Sequence, residues 1–428
     1  MLPIIDVLSN AFIRNDLTVF DHIQTHRAEE CAQLRIMFCT EEPGAVSLDL
    51  AVDLSSSVNI TSSFKGPRAW FFSRQTRMQQ SLSQGQSSLP IEFAFGIDTH
   101  FAQAIFDFIH QKNTNNIDRR SIIDVLKLKS KHANIHFDVM PILFEHVRHH
   151  LITNDMDTLI DAITSIKMLD YIDWQRFNDD PEQLYFTRAL QTIKQRIQPD
   201  ITSILETAWT HSLVSEQNTL CRLNRAVLLR FTRLWLEHRH QGTDAVLNRL
   251  LHWCISQFGF LPLHLLSLLW SGTIFKEHNP FFDPLIHPTT HLFQIVENMA
   301  WQITHLRWLE EAAASSLHGT FNIPYSVSCQ DNWHQLLSLN PIQCMLIDSE
   351  KGIINLLRVH ERRFNDAICS CLDKRYQRGM NPRDFEYKIQ GETTLCAQQL
   401  HQLIQEEEHD LSQARLSLYP APSPIDGG

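Results

Sequence analysis

Glycine is scarce in this chain, at 13 of 428 residues. No G-x-G-x-x-G, no P-loop and no G-x-S-x-G turn occurs. The chain therefore lacks the glycine loops that cradle nucleotide phosphates and the elbow that presents a hydrolase serine. Nine cysteines are present, none in a C-x-x-C pair, and the shortest spacing is Cys369 to Cys371. That excludes zinc-finger and zinc-ribbon frameworks. An odd number of scattered thiols among apolar neighbours fits a reduced, cytoplasmic protein. The first 25 residues hold no basic segment followed by an apolar core, so no signal peptide is expected. The most apolar stretch, Phe258 to Phe275, is broken by Pro262, His264 and Gly272. It falls short of the ~20 apolar residues a membrane span needs, so a buried helix and no membrane partner are expected. Basic residues are outnumbered, 37 against 48 acids, for a formal net charge of −11. A broad basic surface for duplex DNA is thereby excluded, though a local basic groove is not.

What is present is apolar residues, at 43% of the chain. This supports large cores and a globular protein of two or three domains. Residues 1–90 are mixed: Pro3 to Arg35 is helical in part, Ala45 to Thr61 alternates like one or two strands, and Ser73 to Pro90 reads as a linker. Residues 91–154 follow a strand–helix pattern. Residues 155–278 look wholly helical, with apolar residues recurring at three and four, as in Leu247, Leu250, Leu251 and Cys254. Residues 279–348 supply a long helix from Thr290 to Ser316, a strand from Asn322 to Cys329, a helix from Asn332 and a strand from Gln343 to Ile347. Residues 349–418 are expected to be helical, and the Pro/Gly-rich tail 419–428 disordered.

The most informative segment is Ile91-Glu92-Phe93-Ala94-Phe95-Gly96-Ile97-Asp98-Thr99. It reads as a buried strand that ends in an acid and passes at once into a helix beginning at His100. A carboxylate in that position lies at the ligand edge of an open α/β sheet. There it can either hold a hard cation or cap the helix. Asp331 repeats the placement, between the strand Asn322–Cys329 and the next helix. Glu145 stands one turn into a helix opened by Met140-Pro141, where a proline costs no hydrogen bond. If the strands are joined by crossovers, their carboxyl ends share one edge. Several carboxylates gathered there are the arrangement that lets divalent ions activate water against a phosphodiester.

The order strand-Asp98-Thr99-helix, then Glu145 in a helix 47 residues on, then a long helix, then strand and Asp331, resembles the PIN-domain nucleases. The resemblance spans roughly 91–348. It implies a small parallel sheet flanked by helices, carrying a large all-helical insertion, in a predominantly helical α/β protein. It also implies a Mg²⁺- or Mn²⁺-dependent ribonuclease, since members of the family serve as toxins, RNA-processing enzymes or defence proteins. Asp98, Glu145 and Asp331 then hold the metal, and Thr99 positions the first acid or the scissile phosphate. Two positions depart from the pattern: His100 stands where Asn is usual, and Gln302 where the late helix normally presents Asp. With one acid fewer, the alternative is a catalytically degenerate member acting as a helical protein-interaction module. A second alternative resembles the HEPN-type, metal-independent ribonucleases, through Arg233 and His238 in an R-x4-H spacing. His146, His149 and His150 are spaced to share a helix face that could bind Zn²⁺, but a solvated polar face explains them better. Trp174, Trp209, Trp235, Trp253, Trp270, Trp301 and Trp308 fall on apolar helix faces, where core packing accounts for them.

Overall fold

The computed structural model describes residues 4–14, 27–31, 34–48, 58–74, 91–112, 116–145, 156–210, 213–275, 279–314, 321–328, 331–348, 350–372 and 395–418, with the single positions 16, 18, 50 and 76. The described strands are β1 (Leu34–Thr40), β2 (Val46–Ser47), β3 (Asn59–Ser62), β4 (Arg68–Phe72), β5 (Ile91–Ile97), β6 (Ile135–Asp138), β7 (Phe321–Ser328), β8 (Ile342–Asp348) and β9 (Ile353–Arg358). They form two sheets, in the orders β2-β4-β1-β8-β9 and β3-β7-β5-β6. The helices used below are α1 (Ile4–Arg14), α2 (Thr99–Ile109), α3 (Asn116–Lys131), α4 (Met156–Met168), α5 (Leu190–Thr210), α6 (Leu213–His238), α7 (Thr243–Phe258), α8 (Leu263–Leu269), α9 (Leu292–Ala314), α10 (Asp331–Leu339), α11 (Glu361–Cys371) and α12 (Ala397–Leu418). Helix dominates, as the sequence indicates.

The chain divides into two compact units, 1–215 with 308–359 and 216–307 with 360–428. Both sheets belong to the first. Its boundaries do not follow the ranges drawn from sequence, because α4 packs on α2 and α5 packs on α4. Those helices join the sheets, although residues 155–278 look from sequence like one helical block.

The five-stranded sheet is antiparallel throughout. β1 runs beside β8 in register from Leu34↔Asp348 to Phe38↔Cys344, and beside β4 from Ile36↔Phe72 to Thr40↔Arg68. β1 and β8 are largely buried on both faces, which suits a sheet covered on each side. One face receives α1, whose Ile4, Ile5 and Leu8 pack with Leu34, Ile36, Cys344 and Leu346. On the other face Met37 and Cys39 join the large core shared with the second sheet. β9 corrects an expectation: residues 349–418 are not all helical. Ile353–Arg358 pairs antiparallel with β8 across a tight turn in which Gly352 adopts φ 63°.

In the second sheet β7, β5 and β6 are parallel. Register runs from Ile91↔Phe321 to Ile97↔Val327 on one side of β5, and from Phe93↔Ile135 to Gly96↔Asp138 on the other. The expected parallel sheet is therefore present, with an antiparallel strand added: β3 pairs with Tyr325–Ser328 of β7. Pro324 stands beyond the end of that ladder, so its missing N–H breaks no bond to β3. The parallel run puts the carboxyl ends of β5, β6 and β7 at one edge of the sheet.

The second unit is helical in its described residues. Ala226, Val227, Leu228, Leu229 and Phe231 of α6 are buried, and Asn224 donates to Thr304 Oγ1 of α9 at 2.9 Å in the interior. Within the stretch Phe258 to Phe275 the buried helix is shorter than expected: Phe258 ends α7, Gly259 caps it at φ 76°, and α8 begins at Leu263 and continues into one π-helical turn over Trp270–Ile274. No described helix is long and apolar enough to cross a membrane. The segment 77–90, His146, His149, His150 and the tail 419–428 lie outside the described residues.

Candidate active site

β5 ends at Ile97 and α2 starts at Thr99, leaving Asp98 as the N-cap. Its backbone is extended, at φ −76° and ψ 163°, and Oδ1 accepts the Phe101 N–H at 2.6 Å. The capping role is therefore real, and it satisfies one of the orphan donors at the helix start. It occupies only one carboxylate oxygen. Oδ2 is buried and has no hydrogen-bond partner among the described residues. Burial pushes the Asp98 carboxyl above its usual range; the Ser328 hydroxyl and the Phe101 N–H pull the other way, while Glu145 adds repulsion and His100 opposes it weakly. Ser328 comes from the end of β7, whose neighbour Val327 is in register with Ile97.

The residue after the cap reaches the second acid. Thr99 Oγ1 donates to Glu145 Oε2, across 46 residues of sequence. Glu145 is carried by the helical segment 140–145, which follows β6 directly. Asp138 closes β6 and accepts the Met140 N–H at 2.9 Å, and the Leu143 N–H bonds to the Val139 carbonyl. Pro141 thus sits in a first turn whose N–H groups have no helical acceptor. Gly96 lets this segment close on β5. A Cβ there would lie 3.1 Å from Leu309 Cδ2, 3.3 Å from Pro141 Cγ and 3.5 Å from the Tyr325 carbonyl oxygen. A side chain at this position would require Leu309 and Pro141 to give way by a few tenths of an ångström.

The third expected acid, Asp331, is the first residue of α10, three residues after β7 ends. Its side chain is outside the described residues. Further along α10, His334 Nδ1 lies 3.2 Å from Thr61 Oγ1 of β3, which ties the helix to the sheet. Of the two departures, His100 is exposed, and Gln302 is half-buried in the part of α9 that belongs to the second unit.

Two acids of the first unit escape the reading from sequence. Asp138 repeats the strand-acid-helix placement of Asp98, and that repetition was the signal for it. Burial raises its carboxyl, against the Met140 N–H and Lys167. Glu310 of α9 is buried and takes Arg358, the last residue of β9, at 2.6 Å. No sequence signal marks that partnership, because it rests on a strand that reads as helix.

Three carboxylates, Asp98, Asp138 and Glu145, are described at this edge, and Thr99, the residue after Asp98, links to Glu145. Among the described residues no three of His, Cys, Asp and Glu are grouped so as to hold a metal ion. The unpartnered Oδ2 of Asp98 is nonetheless an oxygen donor of the kind hard cations take.

The Arg233–His238 pair is built differently. Arg233 Nη1 meets Asp410 and lies 3.5 Å from Glu407 Oε2, and its Nε lies 3.5 Å from Glu237 Oε1. Arg230 reaches Glu407 Oε1 at 3.4 Å, and Arg225 reaches Glu408 at 2.6 Å and Glu297 at 3.3 Å. These pairs tie α6 to α12, whose Leu400, Leu403, Ile404 and Leu411 are buried. Burial also pushes His238 below the ordinary imidazole range, with Arg249 adding to the effect and Glu237 opposing it.

No protein-family model matches the chain, no curated protein matches it, and no solved structure matches it.

Proposed function

We propose that the chain is a PIN-like, metal-dependent ribonuclease that hydrolyses RNA phosphodiesters. The observation that carries this reading is the hydrogen bond from Thr99 to Glu145 beside an Asp98 oxygen that is buried and unpartnered. It unites the first and second acidic motifs at the carboxyl edge of a parallel sheet. Asp98 and Glu145 hold Mg²⁺ or Mn²⁺, and Asp331, at the start of the helix after β7, is the third ligand. When bound, the ion supplies the Lewis acidity that activates water against a phosphodiester. The chain's own contribution is orientation. Thr99 fixes the rotation of the Glu145 carboxylate, the Phe101 N–H fixes that of Asp98, and a cation beside the buried Asp98 would offset the desolvation that disfavours its ionised form.

The geometry favours one rival reading, a catalytically degenerate PIN-like protein that serves as a helical interaction module. Its support is that no three acids among the described residues are grouped so as to hold a metal ion. The HEPN-type reading is disfavoured, because Arg233 already faces Glu237, Glu407 and Asp410.

Cleavage of single-stranded RNA with Mn²⁺, compared between the wild type and Asp98→Asn, decides between the first two. Asn keeps an acceptor for the Phe101 N–H, so the fold is retained. Loss of cleavage in the variant supports the nuclease. Equal rates in both, or no cleavage by the wild type, transfer the argument to the interaction module.

A further inference from the structure

At the far end of α2 from Asp98 lies a cluster that the acidic edge does not use. Phe106 and His110 have ring centroids 4.2 Å apart, with planes inclined by 34°. The Lys112 ammonium stands 4.4 Å from the Phe106 centroid. Lys194, from α5, brings Nζ within 3.4 Å of His110 Nε2. An ammonium can only donate, so Nε2 is the acceptor. The ring proton therefore sits on Nδ1 and donates to the Phe106 carbonyl at 2.9 Å. Between His110 and Lys112 the backbone turns through Gln111 at φ 52°, a left-handed conformation in a residue other than glycine.

A cation at a helix C-terminus is ordinary, because the macrodipole and the free carbonyls favour it. That accounts for Lys112, which also has Asp107 at 3.8 Å. It does not account for Lys194, which belongs to another helix. Among the described residues Lys194 has no carboxylate within ion-pair distance, and its ammonium stands against the His110 ring. Two cations thus bracket an aromatic pair on a chain whose formal charge is −11. An eleven-residue helix is roughly 16 Å long, so the cluster stands about that far along α2 from the acidic edge.

We propose that Lys112 and Lys194 form a phosphate-contact site for single-stranded RNA, set along α2 from Asp98. The proposal rests on the ribonuclease reading for its choice of ligand. The ammonium groups contact two phosphates of the strand, and the Phe106–His110 stack holds them apart and in place. Phosphate contacts of this kind position a strand without reading its sequence.

The test measures binding of a fluorescein-labelled single-stranded RNA by anisotropy across a salt series, without divalent metal, using the full chain. Neutralising two single-strand phosphate contacts makes the slope of log K against log[salt] shallower by about 1.4. Lys112→Ala with Lys194→Ala is expected to show that change and roughly tenfold weaker binding at 0.1 M salt. Lys112→Arg with Lys194→Arg is expected to keep the wild-type slope. Lys127→Ala with Lys131→Ala, on exposed positions of α3, controls for bulk charge. The proposal is overturned if the first pair leaves the slope unchanged, if the control pair changes it equally, or if the wild type does not bind. The ribonuclease reading fails separately. A wild type that binds RNA through these lysines but does not cleave it with Mn²⁺ keeps the site and loses the nuclease. A wild type that cleaves with an unchanged slope in the first pair does the reverse.

Discussion

The ion pair between Arg358 and Glu310 offers a quantitative test of how the first unit is held together. The two side chains are 7% and 1% exposed, their contact is 2.6 Å, and Arg358 Nη1 also donates to the Asn340 carbonyl at 2.8 Å. It joins the end of β9 to α9, two elements far apart in sequence. Removing one partner of such a pair leaves a charge in a medium that cannot solvate it, which costs about 3–5 kcal/mol. That is a large share of the ~5–15 kcal/mol that stabilises a typical domain. With a urea m-value of about 3 kcal/mol/M, the midpoint falls by roughly 1–1.7 M. Arg358→Met and Glu310→Leu are each expected to show this loss, followed by circular dichroism and tryptophan fluorescence. The double variant replaces the pair with apolar groups and removes both stranded charges. Its loss is expected to fall short of the sum of the single losses by about 2–3 kcal/mol, a coupling of the size seen for contacting residues. If the single losses are under about 1 kcal/mol, or if the double loss equals their sum, the two charges do not sustain one another and the reasoning fails.

Two further outcomes concern the acidic edge. The Asp98 carboxyl is raised in the folded state, mainly by burial, so the native protein binds its proton more tightly than the unfolded chain does. Its ionisation then costs stability, and that cost enters as pH rises from about 4 through the raised folded value. Asp98→Asn removes the cost while keeping the cap. Denaturation midpoints are expected to favour the variant increasingly from pH 4 to pH 8, and a constant difference across that range refutes the assignment. Gly96→Ala forces a methyl group against Leu309 and Pro141. It is expected to cost about 1–3 kcal/mol by thermal or urea unfolding and to slow RNA cleavage, because Pro141 begins the segment that carries Glu145. Full stability in that variant refutes the close approach.

Much of the site's framework can be read from the sequence. The runs Ile91–Ile97, Phe321–Ser328 and Ile342–Asp348 are apolar enough to be recognised as strands, and Asp98 stands at the strand–helix junction that the pattern indicates. The buried tryptophans Trp253, Trp270 and Trp301 also sit in cores, as their apolar neighbours suggest. Pairing is a different matter. Alternation along a strand says which face is buried and nothing about which strand lies beside it. Hence β1 appears in sequence as part of a separate N-terminal segment, although Leu34 lies opposite Asp348. β9 is missed for a related reason: Ile353, Ile354, Leu356 and Leu357 are spaced as well for a helix as for a short strand. The bond from Thr99 to Glu145 depends on how the segment after β6 folds back on Gly96, which no local pattern encodes.

The pairing of β1 with β8 also governs how the molecule is made. From Thr40, the end of β1, to Asp348, the end of β8, the chain runs 348 − 40 = 308 residues. At ~5–20 residues per second, a ribosome takes about 15–60 s to supply that partner. Through that interval one long edge of an apolar strand is open, the kind of edge that invites pairing with the wrong chain. A nascent copy of this protein therefore carries this open edge while residues 216–307, the first part of the second unit, are being synthesised. Residues 34–40 are thus the segment a chaperone would have to shield until translation passes residue 348.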